Sequence, residues 1–262
     1  MTIYKTILYE VSDNVAVITM NRPESLNAIS LEMLDDLLHA LFECTQDERV
    51  RVIVLTGRGR AFSSGGDINI MKDFLDKDVG AFMTEWITRV HLLEMQIRTV
   101  PKPVVAAING IASGQGFNLA LACDIRIAAE SAQFNQSFVN LGLTSEGTYF
   151  LPRMVGVSKA TELCFTGDAI DAREAERLGI INRVVPEADL YNEVHAFAQR
   201  LGRGPTAALA RIKWLINASY RNPLDTHLQQ ECKLIAETAG TQDFREGVLA
   251  FFEKRNPNFT GR

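Results

Sequence analysis

The chain has little cysteine and no sign of pairing it. Cys44, Cys123, Cys164 and Cys232 are scattered over 262 residues, with no CxxC pair and no Cys/His group at metal-ligand spacing. That excludes a disulfide scaffold, predicts reduced thiols in a cytoplasmic compartment, and gives no metal site. No apolar run approaches the roughly 20 residues needed to span a bilayer. The opening stretch "MTIYKTILYEVSDN" alternates like a strand and lacks the apolar core of a signal peptide, so no membrane contact is expected. A basic excess is missing as well. Lys and Arg number 27 against 32 Asp and Glu, a formal net charge of −5, which argues against nucleic acid as a partner. Low-complexity segments are absent.

Several chemical signatures also fail. "GQGFNL" (114–119) and "GRG" (57–59) lack the third glycine of a dinucleotide fingerprint, and no P-loop lysine motif occurs. Ser63 and Ser113 do not lie in GxSxG. His39, His91, His195 and His227 fall in or beside helical patterns and read as packing or surface residues. The charged run 173–177 reads as a solvated helix face.

What is present is a core-forming composition, 47% hydrophobic and 23% charged. "VAVITM" (15–20) and the segments 50–57, 102–110 and 123–130 are short, rich in β-branched residues and bounded by turn formers, which predicts buried strands. Helical patterns lie between them. Residues 30–44 put Leu31, Leu34, Leu38, Leu41 and Phe42 on one face after a Ser30 N-cap, and 83–97 is a second amphipathic helix. The alternation predicts an α/β fold. From about Ser158 the chain turns mostly helical, with Gly167, Gly179 and Gly202 placed as helix C-caps. This tail is expected to dock on the core or on another subunit.

Two glycine turns follow apolar strands. "GRGRAFSSGGDINIM" (57–71) offers Ser64, Gly65 and Gly66 before a helix opened by Asp67. "NGIASGQGFNLALACD" (109–124) offers Gly114 and Gly116 before a helix starting near Phe117. Free N–H groups at a helix start can hold a developing oxyanion. Both turns can equally be tight strand-to-helix connections. A third stretch, "NLGLTSEGTYFLP" (140–152), sets one carboxylate, Glu146, among apolar residues. It reads either as a turn acid at a helix start or as a carboxylate held in a pocket to move a proton.

At these turns the sequence resembles the crotonase (enoyl-CoA hydratase/isomerase) superfamily. The stretches "NRPESLNAIS", "GRAFSSGGDI", "KPVVAAINGIASGQGFNLALACDIRIAAESAQF", "NLGL", "LPRMVG", "CFTGDAIDAREAERLGIINRVV" and "FREGVLAFFEKRNPNF" carry the likeness in order over nearly the whole chain. The resemblance implies a spiral of ββα units over residues 1–200 and a helical oligomerisation region over 201–262. It also implies a homotrimer or a dimer of trimers, and acyl-CoA thioester substrates with no separate cofactor. By the same resemblance the backbone N–H groups of Gly66 and Gln115 would form the oxyanion hole, with the Gln115 side chain turned away from the thioester. Ser25, Ala28, Ser64, Asp67 and Ile68 would lie along CoA. Phe251 and Lys254 match positions that reach CoA from a neighbouring subunit. The segment 68–78 would wall the acyl pocket through Met71, Phe74 and Leu75.

Hydratases of that family use two glutamates, but Asn118 and Phe138 stand at those positions here. Water addition needs a placed base and acid. Glu146 instead resembles the single base of the Δ3,Δ2-enoyl-CoA isomerase branch, with a shorter loop between it and Pro152. Each oxyanion donor is worth about 3–4 kcal/mol in the transition state. Apolar neighbours Phe138, Leu143 and Phe150 would raise the carboxylate's pKa. The isomerase reading therefore leads. Weak hydration, dehalogenation, thioester hydrolysis and a non-catalytic binding role on the same scaffold are its alternatives.

Overall fold

The computed structural model describes residues 3–261. The chain starts with a hairpin, β1 (Ile7–Ser12) and β2 (Val15–Met20), paired from Ile7 opposite Met20 to Ser12 opposite Val15. Asp13 and Asn14 between them take φ of 49° and 65°, the left-handed conformation that a two-residue hairpin loop demands and that Asn and Asp tolerate. Helix α1 (Leu31–Gln46) follows, capped as expected by Ser30, whose Oγ accepts from Met33 N at 3.1 Å. Its buried stripe is Met33, Leu34, Leu37, Ala40, Leu41 and Cys44. Phe42, expected on that face, is 52% exposed, because one residue past Leu41 is a step of about 100° toward solvent.

The next part repeats a pattern: one long strand, one short strand, then helix. Strands β3 (Val52–Gly57) and β4 (Ala61–Ser63) lead to α2 (Ile68–Lys72) and α3 (Val79–Thr99). Strands β5 (Val104–Ile108) and β6 (Ile111–Ser113) lead to α4 (Gln115–Ala122). Strands β7 (Ile125–Ala129) and β8 (Gln133–Asn135) lead through a short 3-10 turn to α5 (Leu151–Thr166). Helix α4 begins two residues earlier than expected, since Gly114 at φ 50° makes the turn and Asn118 N already bonds Gly114 O. Helix α5 likewise starts before Ser158, and a break at Gly156 (φ 77°) divides it.

Strand β9 (Ile170–Asp171), α6 (Ala172–Arg177), β10 (Arg183–Val185) and α7 (Leu190–Gly202) complete the layered part. The long strands form one sheet in the order β1-β2-β3-β5-β7-β10, parallel from β2 onward. The short ones form a second sheet, β4-β6-β8-β9, with β4, β6 and β8 parallel. This is the spiral of ββα units. Both faces of the larger sheet are covered. Ile18, Ile53, Leu55, Val104 and Ile108 pack toward α1, α3 and α4, while Val15, Val52, Val105 and Ile127 pack toward Leu190, Val194 and Ala198 of α7. Gly202 lies inside the last turn of α7, with Arg203 as its C-cap, whereas Gly167 caps α5 at φ 67°.

Helices α8 (Thr206–Ser219), α9 (Leu224–Ala239) and α10 (Gln242–Glu253) follow. Lys213 ties α8 to the core: its Nζ meets Asp124 Oδ2 at 2.8 Å and donates to the Ile97 and Lys102 carbonyls. Arg51 donates to Thr206 Oγ1, Gly204 O and Phe259 O. The outer faces stay apolar and open to solvent at Trp214, Ile216, Leu228, Ile235, Phe251 and Phe252, and α9 buries no residue fully. All four cysteines are free, and no helix among the described residues is long and apolar enough to cross a membrane.

Candidate active site

Strands β4, β6 and β8 are parallel neighbours, so their C-terminal ends lie side by side. Binding crevices form at such strand ends because each chain leaves the sheet there through a loop. The loops are Ser64–Asp67, Gly114–Gln115 and the segment carrying Glu146. Parallel order thus brings Gly66, Gln115 and Glu146 into the wall of one cavity of about 770 Å³.

The first loop folds as it does because Gly65 takes φ 98° and passes Ser113 O so closely that a Cβ would sit 2.8 Å from it. Ile29 brackets Gly66, donating to Gly65 O and accepting from Asp67 N. Among the described residues Gly66 N has no acceptor. Asp67 is buried, caps α2 through Asn69 N and forms an ion pair with Arg22 at 3.0 Å. The second loop leaves Gln115 N free for a different reason: it is the first residue of α4, where no preceding turn offers an acceptor. Gly116 lets α4 press on the end of β4, where a Cβ would fall 2.4 Å from Ser63 O.

The Gln115 side chain runs to Glu146. Its Oε1 accepts from Trp86 Nε1 at 3.1 Å and its Nε2 donates to Glu146 Oε1 at 3.3 Å. An indole N–H can only donate, so the amide orientation is fixed and its NH2 end must face the carboxylate. Around the other side runs a second polar chain. Ser145 Oγ donates to Gln136 Oε1, and Gln136 Nε2 donates to Asn118 Oδ1 at 2.8 Å. That leaves Asn118 Nδ2, buried and without a hydrogen bond, on the Glu146 side. Burial pushes the Glu146 carboxyl above the usual carboxylate range. Gln115 pulls it back by hydrogen bonding, and so does Asn118 from just outside hydrogen-bond geometry. The short loop does not turn Glu146 to solvent; its Oε2 is buried and unpartnered.

The cavity wall also holds Ser64, Ile68, Met71 and Phe138. Phe74 and Leu75 do not join it. Phe74 stacks on Phe82 with centroids 3.8 Å apart, and Leu75 is 66% exposed. Their place is taken by α3, through Met83, Ile87 and His91. Asn118 lies behind the wall. Ser25 and Ala28 lie outside it: Ser64 Oγ donates to Ser25 O, and the Ala28 carbonyl accepts from Arg22. Phe251 and Lys254 are not brought to this cavity within one chain; Phe251 lines a separate apolar hollow with Phe244, Phe252 and Phe259.

Sequence reasoning missed Glu94. It lies on α3 one turn beyond His91, and with Glu146 it lines a second cavity of about 450 Å³. Burial, then the charge of Glu146, push its carboxyl up to about 8.

The family model for enoyl-CoA hydratase/isomerase matches residues 10–262. A probable enoyl-CoA hydratase of Rhodobacter capsulatus is 44% identical over 99% of both chains. The 1,2-epoxyphenylacetyl-CoA isomerase of Escherichia coli is 38% identical over 98% of both. Among solved structures, a putative enoyl-CoA hydratase from Streptomyces coelicolor superposes with a TM-score of 0.95 at 36% identity, covering 100% of this chain and 96% of that one.

Proposed function

The chain belongs to the enoyl-CoA hydratase/isomerase family, and within it we propose a Δ3,Δ2-enoyl-CoA isomerase whose single base is Glu146. One observation carries the reading. Among the described residues Glu146 is the only carboxylate in the wall of the cavity that also holds the free N–H groups of Gly66 and Gln115. A relative named as a hydratase and one named as an isomerase of a different acyl-CoA lie at comparable identity, so likeness alone does not choose the reaction.

The thioester oxygen of a 3-enoyl-CoA accepts from Gly66 N and Gln115 N. Glu146 removes a proton from the α-carbon. The negative charge spreads over the dienolate thioester, where the two N–H groups stabilise it. Glu146 then returns the same proton to the γ-carbon, and the double bond has moved. Nothing is consumed, so no cofactor is required. Phe138, Ile87 and Met83 make the surroundings apolar, which raises the basicity of the carboxylate and disfavours attack by water. The CoA moiety runs past Ser64 and Ile68 toward Ser25, Ala28 and Asp67. The apolar outer faces of α8 to α10 fit a homotrimer or a dimer of trimers, in which Phe251 and Lys254 of a neighbouring copy reach CoA.

Conversion of 3-enoyl-CoA to 2-enoyl-CoA tests the reaction. Glu146→Gln is expected to lower kcat by about 10²–10⁴-fold, the range for a positioned acid/base. Equal rates in the two proteins would end the proposal. Hydration is the second reading, favoured by the 44% identity to a probable hydratase. It predicts 3-hydroxyacyl-CoA from 2-enoyl-CoA at a rate exceeding isomerisation. Light scattering at micromolar concentration is expected to give three or six times the chain mass, and a monomer would refute the assembly.

A further inference from the structure

Glu146 divides two cavities. Its wall position is shared with His91 and Tyr149, which also border both spaces. Behind it Glu94 enters the second cavity, and the pair shows a matching defect. Glu94 Oε1 and Glu146 Oε2 are both buried and both lack a hydrogen bond. A buried carboxyl oxygen without a donor is costly, and two buried carboxylates facing one space repel each other.

Among the described residues no cation pairs with either carboxylate, although Arg221 lines the same cavity. The charged and titratable groups around Glu94 are His91 and Arg98 from α3, Glu146 and Tyr149 from the loop, Arg153 from α5, and Tyr220 and Arg221 after α8. Arg98 is committed to Asp124 and Asn217. Arg153 donates to the Tyr149 carbonyl and lies over the Tyr149 and Tyr220 rings. Among the described residues neither Glu94 nor Glu146 has an ion pair. A single proton held on Glu94 resolves both defects: a neutral Glu94 O–H can donate toward Glu146 Oε2, directly or through one water in the second cavity, and the pair then carries one charge.

We propose that Glu94 is a positioning residue for Glu146: it carries the proton of the pair and donates it as a hydrogen bond, so that Glu146 carries the charge and faces the substrate. This rests on Glu146 being the base. Glu94 is raised to about 8, so it is neutral at pH 7 and ionises above pH 8. On ionising it loses the donor and replaces it with repulsion, which swings the Glu146 carboxylate out of line. Interacting carboxyls of this kind titrate as a pair.

The test uses pH profiles of kcat with Glu94→Gln and Glu94→Leu in the full chain. Gln keeps a donor and cannot ionise. Its kcat at pH 7 should stay within about threefold of wild type, and it should lack the alkaline fall near pH 8, giving about tenfold more activity than wild type at pH 9. Leu offers no donor and should lose about tenfold at pH 7. A wild-type profile flat through pH 8, or an alkaline fall retained in Glu94→Gln, overturns the proposal. Carboxyl-carbon NMR without substrate separates this from the reaction itself. A resonance titrating near pH 8, absent from Glu94→Gln and mirrored in the Glu146 signal, supports the pair even if wild type fails to turn over 3-enoyl-CoA. A Glu146 signal blind to that titration sinks it.

Discussion

The loop after β4 carries Gly66 and the loop after β6 carries Gln115. Both present a free N–H to the same cavity, yet one is bare and the other carries a long side chain. At Gly66 a side chain would crowd its neighbours: a Cβ would lie 2.6 Å from Met71 Cε and 3.0 Å from Gln115 Oε1. At Gln115 there is room, and the side chain links Trp86 to Glu146. On the proposed reading the two donors are equivalent toward a thioester oxygen and unequal toward the base. The first loop would only hold the oxygen. The second would also set the direction and the proton affinity of Glu146.

Gly66→Ala breaks the bare loop. Met71 Cε is the tip of a flexible chain and can move, but the Gln115 amide is pinned between Trp86 and Glu146. The methyl therefore disturbs the N–H and, through Gln115, the carboxylate. We expect kcat/KM to fall about 10²-fold, near the value for losing one oxyanion donor, while stability changes by about 1 kcal/mol. Steady-state kinetics beside thermal unfolding check this. A loss of stability without a kinetic defect would mean that Gly66 N is not a donor to substrate.

Gln115→Gly makes the second loop as bare as the first. The N–H stays and the bond to Glu146 goes. That bond favours the ionised carboxylate, so its loss raises the pKa of Glu146. The base must be ionised to work, hence the acid limb of kcat/KM moves to higher pH. At pH 7 kcat should fall about three- to tenfold. An unshifted limb would assign the Gln115–Trp86 link to packing alone.

The strands at 15–20, 50–57, 102–110 and 123–130 were legible because parallel strands buried on both faces read as unbroken apolar runs. The second sheet was not. β4, β6, β8 and β9 have two or three residues each, too few to show any period, and they exist only because the longer strands place them side by side. That sheet is what aligns the loops, so the meeting of Gly66, Gln115 and Glu146 was reached by resemblance and not by pattern. Phe74 and Leu75 show the opposite failure. Apolar residues after a glycine turn look like pocket lining, but α3 packs across and takes Phe74 onto Phe82. Glu94 left no mark at all. On a helix that mixes polar and apolar residues around it, an acid that tertiary packing buries is indistinguishable in sequence from one that faces water.

Neither loop reaches Glu94, and its effect on folding is separable from theirs. In the unfolded chain its carboxyl titrates near 4.5; folded, it is raised to about 8. Between those values the native state holds a proton that the unfolded state has released, so stability falls as pH rises through that window and levels above it. Glu94→Gln has no such proton to hold. Its Tm relative to wild type should therefore rise from pH 5 to pH 8, by about 2–4 °C for each kcal/mol regained in a chain of this size. Thermal unfolding at the two pH values measures the difference. A constant difference would show that Glu94 ionises in the folded protein as it does in water, and would leave Glu146 with only the donors that the loop after β6 and Asn118 supply.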